Sequence, residues 1–291
     1  MKNIKTFSIL ALTILIITLG STQVLSHSFG STSKVVLASE LQWSPLNPAR
    51  GDASPQAATI WGDRNGTEAT GFLVKFKQGF SSPPHIHNVT YRGVVIDGLV
   101  HNDDPNAEKM WMPKGSFWTQ PAGEAHITSA EEKNNIAYIE IDEGPYLVQP
   151  QEEAFDNGER PVNVDASNIV WLNASNLHSS DRAKSSNSLR KAQIAFLWGN
   201  PQEREPYGSM IKLPTDFKGK IRSYGSDFRA VVIEGQPNYI ALRGTDTKNL
   251  EPGSYFSSKG KSTHQLTSDA EAESIIYVRT NGKFDIISHQ S

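Results

Sequence analysis

The chain has 291 residues, of which 20% are charged, and a formal net charge of -3. That balance provides no basic field, so a nucleic-acid partner is excluded on electrostatic grounds. Cysteine is absent, which removes disulfides, thiol catalysis, thiolate metal ligands and lipid attachment at a cysteine.

The chain begins Met1-Lys-Asn-Ile-Lys5, continues with an apolar run from Phe7 to Leu19, and then reaches Val24-Leu25-Ser26. A positive start, a short apolar centre and a small-residue exit predict a cleaved secretory signal over residues 1–26. A membrane anchor needs about 20 apolar residues, and this run is shorter and broken by Ser8 and Thr13. The expected product is secreted or periplasmic, with no membrane partner after signal cleavage. Residues 27–38 are rich in Ser, Thr and Gly and read as a loose lead-in.

Beyond them come short β-branched and aromatic segments: Gly71-Phe-Leu-Val-Lys-Phe76, Arg92 to Ile96, Met110-Trp-Met112 and Ile136 to Ile141. Turn-forming Gly and Pro lie between them, and no stretch sustains helical periodicity. The pattern predicts an all-β chain of sandwiches or barrels. An eight-stranded jelly roll suits it, because that architecture limits exposed edges and encloses an interior.

The same segments occur twice. Trp61-Gly62 returns as Trp198-Gly199, Gly71 as Gly208, Lys75 as Lys212, and Arg92-Gly-Val-Val-Ile-Asp-Gly98 as Arg229-Ala-Val-Val-Ile-Glu-Gly235. Gly115 corresponds to Gly253, His126 to His264, and Tyr138 to Tyr277. A repeat this long means two whole domains rather than a solenoid. They are expected over residues 35–150 and 167–288, joined by an acidic linker over 151–166. The second copy carries an insertion rich in Ser, Arg and Lys at 181–190.

The chemistry concentrates between Gly79 and His126. His85 and His87 stand two apart in a strand-like run, so both imidazoles point to one face. His126 arrives from a second segment, through a turn made by Pro121 and Gly123. Three converging imidazoles make a cage for a divalent transition metal (Fe, Mn, Zn, Ni or Cu). The competing account is a hydrogen-bonded core. Alternation from His87 also turns Tyr91 inward, as a weak ligand, as a hydrogen-bond donor to a bound oxygen, or as packing. Its phenol, near pKa 10, resists deprotonation. His101 is expected to be exposed in a turn, and His27, His178 and His289 lie in polar or terminal stretches. Trp61, Trp111 and Trp118 read as core or pocket wall, and Glu124 as an unassigned acid. The sequons at Asn65, Asn88 and Asn173 carry little information.

These residues resemble the cupin superfamily. Its first motif, G-x5-H-x-H-x3,4-E-x6-G, is matched by Gly79, His85, His87 and Gly98, with Tyr91 at the glutamate position. Its second, G-x5-P-x-G-x2-H-x3-N, is matched by Gly115, Pro121, Gly123 and His126, with Ala130 in place of asparagine. More closely, the chain looks like the exported two-domain cupins of the DUF4437 type. It is more distantly similar to the branch holding acetylacetone dioxygenase, which uses three histidines without the glutamate, and the ChrR-like cupin domain. The resemblance implies two tandem cupin jelly rolls. It also implies one metal held by His85, His87 and His126, with Tyr91 as the candidate catalytic residue.

An offset of 137 maps His85 to Arg222, His87 to Tyr224 and Tyr91 to Phe228, and one of 138 maps His126 to His264, so the second copy has lost the site. That copy is expected to be a structural partner or, through Arg222, a pocket for an anion. The expected function is a dioxygenase-like, metal-dependent enzyme on a small carbonyl or anionic molecule. The alternatives are a non-catalytic metal or ligand sensor and a protein whose metal is purely structural. Assembly into a homo-oligomer is left open.

Overall fold

The three strands at the middle of the first half are buried on both faces, and this sets the architecture. In Tyr91–Asp97, Tyr91 and Val95 point into one hydrophobic cluster while Val94 and Ile96 point into another. Asn135–Glu143 behaves alike, with Ala137, Ile139 and Ile141 on one side and Tyr138 on the other. In Glu68–Phe76 the two sides are Phe72, Val74 and Phe76 against Leu73. Period-two alternation in a strand that is apolar on both faces demands a cover on each face. Here one cover is the barrel's own smaller sheets, and the other is the second half of the chain. This computed structural model describes residues 33–174, 192–241, 246–269 and 271–288. The signal read over 1–26, His27, His178, His289 and the 181–190 insertion lie outside the described residues.

The first half's large sheet is antiparallel, in the order Val162–Val164, Phe117–Gln120, Tyr91–Asp97, Asn135–Glu143, Glu68–Phe76, Gln56–Trp61, Ser44–Pro45. Two smaller sheets accompany it. One is Phe80–Ser81, Ile127–Ala130, Val100–Asp103; the other pairs Val148–Pro150 with His85–His87, and a bridge between His85 and His126 joins the two. The second half repeats the plan with a seven-stranded sheet and a five-stranded one. Over the described residues the fold is all-β, two tandem cupin jelly rolls, with helix only as short 3-10 turns.

Two segments lie differently from their reading in the sequence. Ser33–Val36, within the expected loose lead-in, is a strand paired with Tyr255–Lys259 of the second half. Val162–Val164, within the expected linker, pairs with Phe117–Gln120 of the first. The strand leading into each half is therefore added to the other half's large sheet, where it covers an edge that would otherwise be open.

The outer faces of the two large sheets pack together, joining Trp61, Val94, Phe117 and Tyr138 with Met210, Val231, Tyr255 and Tyr277 in one cluster. The repeated landmarks of the sequence sit here. Arg92 stacks over Trp198 and Arg229 over Trp61, each with its guanidinium carbon 3.7 Å from the ring centroid, a contact worth about 0.5–2 kcal/mol. Each tryptophan lies across a glycine of the next strand, since a Cβ on Gly71 would be 2.1 Å from Trp61 and one on Gly208 1.8 Å from Trp198. At the centre the buried Glu140 carboxylate accepts from Tyr138 at 2.8 Å, Tyr277 at 2.7 Å and Arg279 at 3.3 Å. Burial opposes the charge on Arg279, but Glu140 and Asp142 outweigh it and raise its pKa.

Candidate metal centre

His85 and His87 come from the short strand His85–His87, and His126 immediately precedes the strand Ile127–Ala130. His85 and His126 are bridge partners, with backbone N–H···O bonds of 3.1 and 3.0 Å in the two directions. The ring centroids of His85 and His126 are 4.3 Å apart, those of His87 and His126 5.2 Å. One nitrogen from each ring can be chosen so that all three lie within 4.8 Å of one another.

The backbone decides which nitrogen that is. His85 Nδ1 is 2.9 Å from the Pro83 carbonyl, His87 Nδ1 2.7 Å from that of Leu147, and His126 Nδ1 3.1 Å from that of Glu124. A carbonyl can only accept, so each Nδ1 carries the proton and each Nε2 presents its lone pair. Burial, then the neighbouring imidazoles, lowers the pKa of His87 far below the ordinary histidine value. Burial, then His85, lowers that of His126 to about 3. Burial also lowers that of His85, against the hydrogen bond to Pro83 and with help from the charge of Arg50. All three rings are therefore neutral donors near pH 7. Neutral imidazoles oriented through Nδ1–H···O=C bonds are the usual outer arrangement of metal-ligating histidines. An all-nitrogen set suits Zn, Cu, Fe or Ni better than an oxygen-seeking ion such as Mg or Ca. The residues thus fit a divalent transition metal, and the cluster could hold one.

Two phenols meet these rings. The Tyr91 hydroxyl is 3.2 Å from His126 Nε2 and donates to Asn102 Oδ1 at 2.8 Å. Asn102 Oδ1 also accepts from Thr128 at 2.8 Å, Asn102 Nδ2 donates to Gln120 at 2.9 Å, and Gln120 donates to the Glu124 carbonyl at 3.2 Å. That carbonyl is the one holding His126, so the hydrogen bonds close a loop around Tyr91 and His126. Burial raises the Tyr91 pKa above the ordinary phenol range, which keeps the hydroxyl protonated.

The second phenol, Tyr146, went unnoticed in the sequence. It stacks on His87 with centroids 4.2 Å apart, and its hydroxyl is 3.0 Å from His87 Nε2. Its loop is fixed by Asn88, whose amide donates to the Pro145 carbonyl and accepts from Leu147 N–H. That explains Asn88 without a glycan. The only signal available was a Gly144-Pro145 turn nearly 60 residues downstream.

A cavity of about 310 Å³ opens beside His85, His87, Tyr91 and Tyr146. Its walls include Leu46, Val74, Phe76, Phe80, Trp118 and Ile139, and Arg50 and Asn47 stand among its lining residues. Glu124 contributes its carbonyl here, while its side chain lines a separate surface cleft with Asp156 and Arg160. His101 is buried rather than exposed. It alternates with the inward-facing Asn102 and lies near Trp111, centroids 6.1 Å apart, away from the three-histidine cluster.

The second half shows where the offset fails. His264 pairs with Ile221, as His126 pairs with His85. Ile221 therefore stands in the place of His85, and Ser223 in that of His87. A one-residue slip sends a side chain to the opposite face. Arg222 and Tyr224 are accordingly exposed, with Arg222 opposite Asp285 on the neighbouring strand. The anion pocket expected around Arg222 is not formed. Ile221 joins Phe228, Phe256, Leu266 and Phe284 in a buried hydrophobic cluster.

A family model described as Domain of unknown function (DUF4437) matches residues 34–287. Among solved structures, a putative dioxygenase from Nostoc punctiforme PCC 73102 is similar at TM-score 0.60 and 12% identity, covering 89% of this chain and 84% of that one. Protein YlbA from E. coli, of family-model DUF861, is similar at TM-score 0.56 and 12% identity, covering 87% and 92%. Salicylate 1,2-dioxygenase from Pseudoaminobacter salicylatoxidans, in its adduct with gentisate, is similar at TM-score 0.54 and 12% identity, covering 88% and 85%. At these identities the likeness is one of fold. No curated protein matches.

Proposed function

The chain belongs to the DUF4437 family of cupin-fold proteins, and from that premise we propose that it is an exported, metal-dependent, dioxygenase-like enzyme acting on a small carbonyl-bearing or anionic molecule. The observation that carries this reading is the orientation of the three imidazoles. Each has Nδ1 against a backbone carbonyl, and one nitrogen of each ring lies within 4.8 Å of one from each of the other two. A cavity adjoins that cluster, whereas a purely structural metal is usually closed in by its ligands. His85, His87 and His126 are the ligands of this proposal. A divalent ion bound there would supply Lewis acidity or a route for electrons toward an oxygen of the substrate.

The remaining work falls to the chain's own groups. Tyr91, held protonated by burial, would orient a substrate oxygen by turning to it the one proton that it otherwise donates to Asn102 Oδ1. Tyr146 fixes the plane of His87 and narrows the entrance beside it. The walls of Val74, Phe76, Trp118 and Ile139 exclude water from the reacting end. The signal read in the sequence of residues 1–26 is what supports the proposal of export.

Loading the purified chain with Fe, Mn, Zn, Ni or Cu in turn and recording oxygen uptake with 1,3-dicarbonyl compounds and hydroxybenzoates tests the proposal. Metal-dependent uptake, lost in His87→Ala, is the expected result. Tight ligand binding without turnover under any metal would replace the enzyme by a sensor.

A further inference from the structure

The cavity beside the three histidines is uneven in charge. Among its lining residues Arg50 is the one permanently charged side chain, and no aspartate or glutamate lines it. Arg50 is exposed while His87 and Tyr91 are buried, so the cation marks the mouth and the imidazoles the floor. Between them the lining is largely apolar, with Leu46, Val74, Phe76, Phe80 and Ile139. The guanidinium carbon lies 6.0 Å from the centre of the Phe80 ring. Among the described residues no hydrogen bond or ion pair engages the guanidinium.

The segment carrying Arg50 is held in place. Asn47 caps it by accepting from Ala49 N–H at 3.1 Å, and Asn47 N–H donates to Ser54 Oγ at 2.9 Å. Lys77 Nζ donates to the Asp52 carbonyl at 2.7 Å. An unpaired arginine on a fixed loop at the mouth of an acid-free, apolar cavity has the geometry to grip a carboxylate through its paired N–H donors.

We propose that Arg50 is the anion anchor of this cavity and that its ligand is a small amphipathic carboxylate, its apolar body against Phe76 and Phe80 and its charged end at Arg50. This deepens the functional reading above and rests on it for what happens to the ligand, but not for binding. A neutral ligand of the same shape forgoes the charge-assisted hydrogen bonds, which are about twice as strong as neutral ones. The chain is acidic overall, at net charge -3, so a cation at this mouth is a local feature rather than part of a general field.

The test uses 3-phenylpropionate and its uncharged counterpart 3-phenylpropionamide as probes, titrated by calorimetry into the full chain stripped of metal. Without metal, discrimination between acid and amide reports on Arg50 and not on coordination. The acid is expected to bind about tenfold or more tightly than the amide. Arg50→Gln should abolish that preference and Arg50→Lys should keep part of it, with unchanged melting temperatures because the side chain is exposed. Equal binding of acid and amide, no binding of either, or a preference that survives Arg50→Gln would overturn the proposal. If the preference holds but no metal is retained by the wild type, Arg50 stands as the anchor and the metal-dependent enzyme falls.

Discussion

In the first barrel His126 is held at Nδ1 by the Glu124 carbonyl, meets the Tyr91 hydroxyl at Nε2, and shares a cluster with His85 and His87. In the second barrel the corresponding His264 is held at both nitrogens, Nδ1 by Tyr239 at 3.1 Å and Nε2 by Ser258 at 3.1 Å. It also lies against Phe228, with centroids 5.0 Å apart. What separates a candidate ligand from a core histidine is therefore its company: Nε2 meets a hydroxyl in both, Tyr91 at 3.2 Å or Ser258 at 3.1 Å, but among the described residues only His126 has two further imidazoles beside it. The hydroxyl of Tyr91 becomes the bare ring of Phe228, and the imidazole of His85 becomes the side chain of Ile221. The same strands line a cavity in one half and gather a cluster of buried apolar side chains in the other, while the face the halves share keeps Trp61, Arg92 and Tyr138 matched by Trp198, Arg229 and Tyr277. Pairing of the halves requires both copies of that face; a single metal site requires only one interior.

The comparison breaks most sharply at the ligands. His126→Ala should abolish metal retention, well beyond the 10–100-fold that an outer hydrogen-bond partner is worth. His264→Ala should leave metal content unchanged. Elemental analysis after gel filtration distinguishes the two, and equal loss in both variants would mean that the halves share one site.

At the shared face, Arg279→Met leaves the Glu140 carboxylate buried without its cation. Breaking a buried pair from one side costs about 3–5 kcal/mol. Denaturant unfolding should show that loss for the whole chain with metal stoichiometry intact, and a change within error would mean that the two phenols alone satisfy Glu140.

A smaller effect is carried by acid. Burial lowers the pKa of His264 to about 4, against about 6.5 unfolded. The unfolded chain thus binds more protons between these values. The contribution is fully present above about pH 6.5, falls as pH drops toward 4, and is flat below, amounting to roughly 3 kcal/mol at most. In a pH titration followed by NMR, the His264 ring signals should stay those of the neutral form down to about pH 4; titration near 6.5 would place the ring in water.

The mildest change is Tyr91→Phe, which removes only the hydroxyl. Metal should stay bound while affinity for a chelating carboxylate falls about tenfold, the scale of one lost hydrogen bond to a charged group. Unchanged affinity by calorimetry would mean that Tyr91 only packs.

The sequence carried the duplication, the β class and the three histidines, because each leaves a local mark: a repeated Trp-Gly pair, short β-branched runs, and imidazoles two apart. Arg50 left none, and Tyr146 only the Gly144-Pro145 turn that precedes it. Tyr146 reaches His87 from a loop nearly 60 residues later, and Arg50 sits in an irregular 3-10 segment with no period to read. The misplacement of Arg222 had another cause. The offset is constant on either side of that strand, yet the His264–Ile221 pairing shifts it by one residue within the strand, and in a period of two one residue is the whole difference between inside and outside. The exchanged edge strands, Ser33–Val36 and Val162–Val164, were hidden because a four-residue or shorter strand takes its identity from its partner.

The central claim is that one interior holds a metal and the other cannot. Titrating metal-free, full-length chain with Zn by calorimetry tests it most directly. The account predicts one tight site per chain in the wild type and in His264→Ala, and none in His126→Ala. Two tight sites in the wild type, with one surviving in His126→Ala, would contradict it.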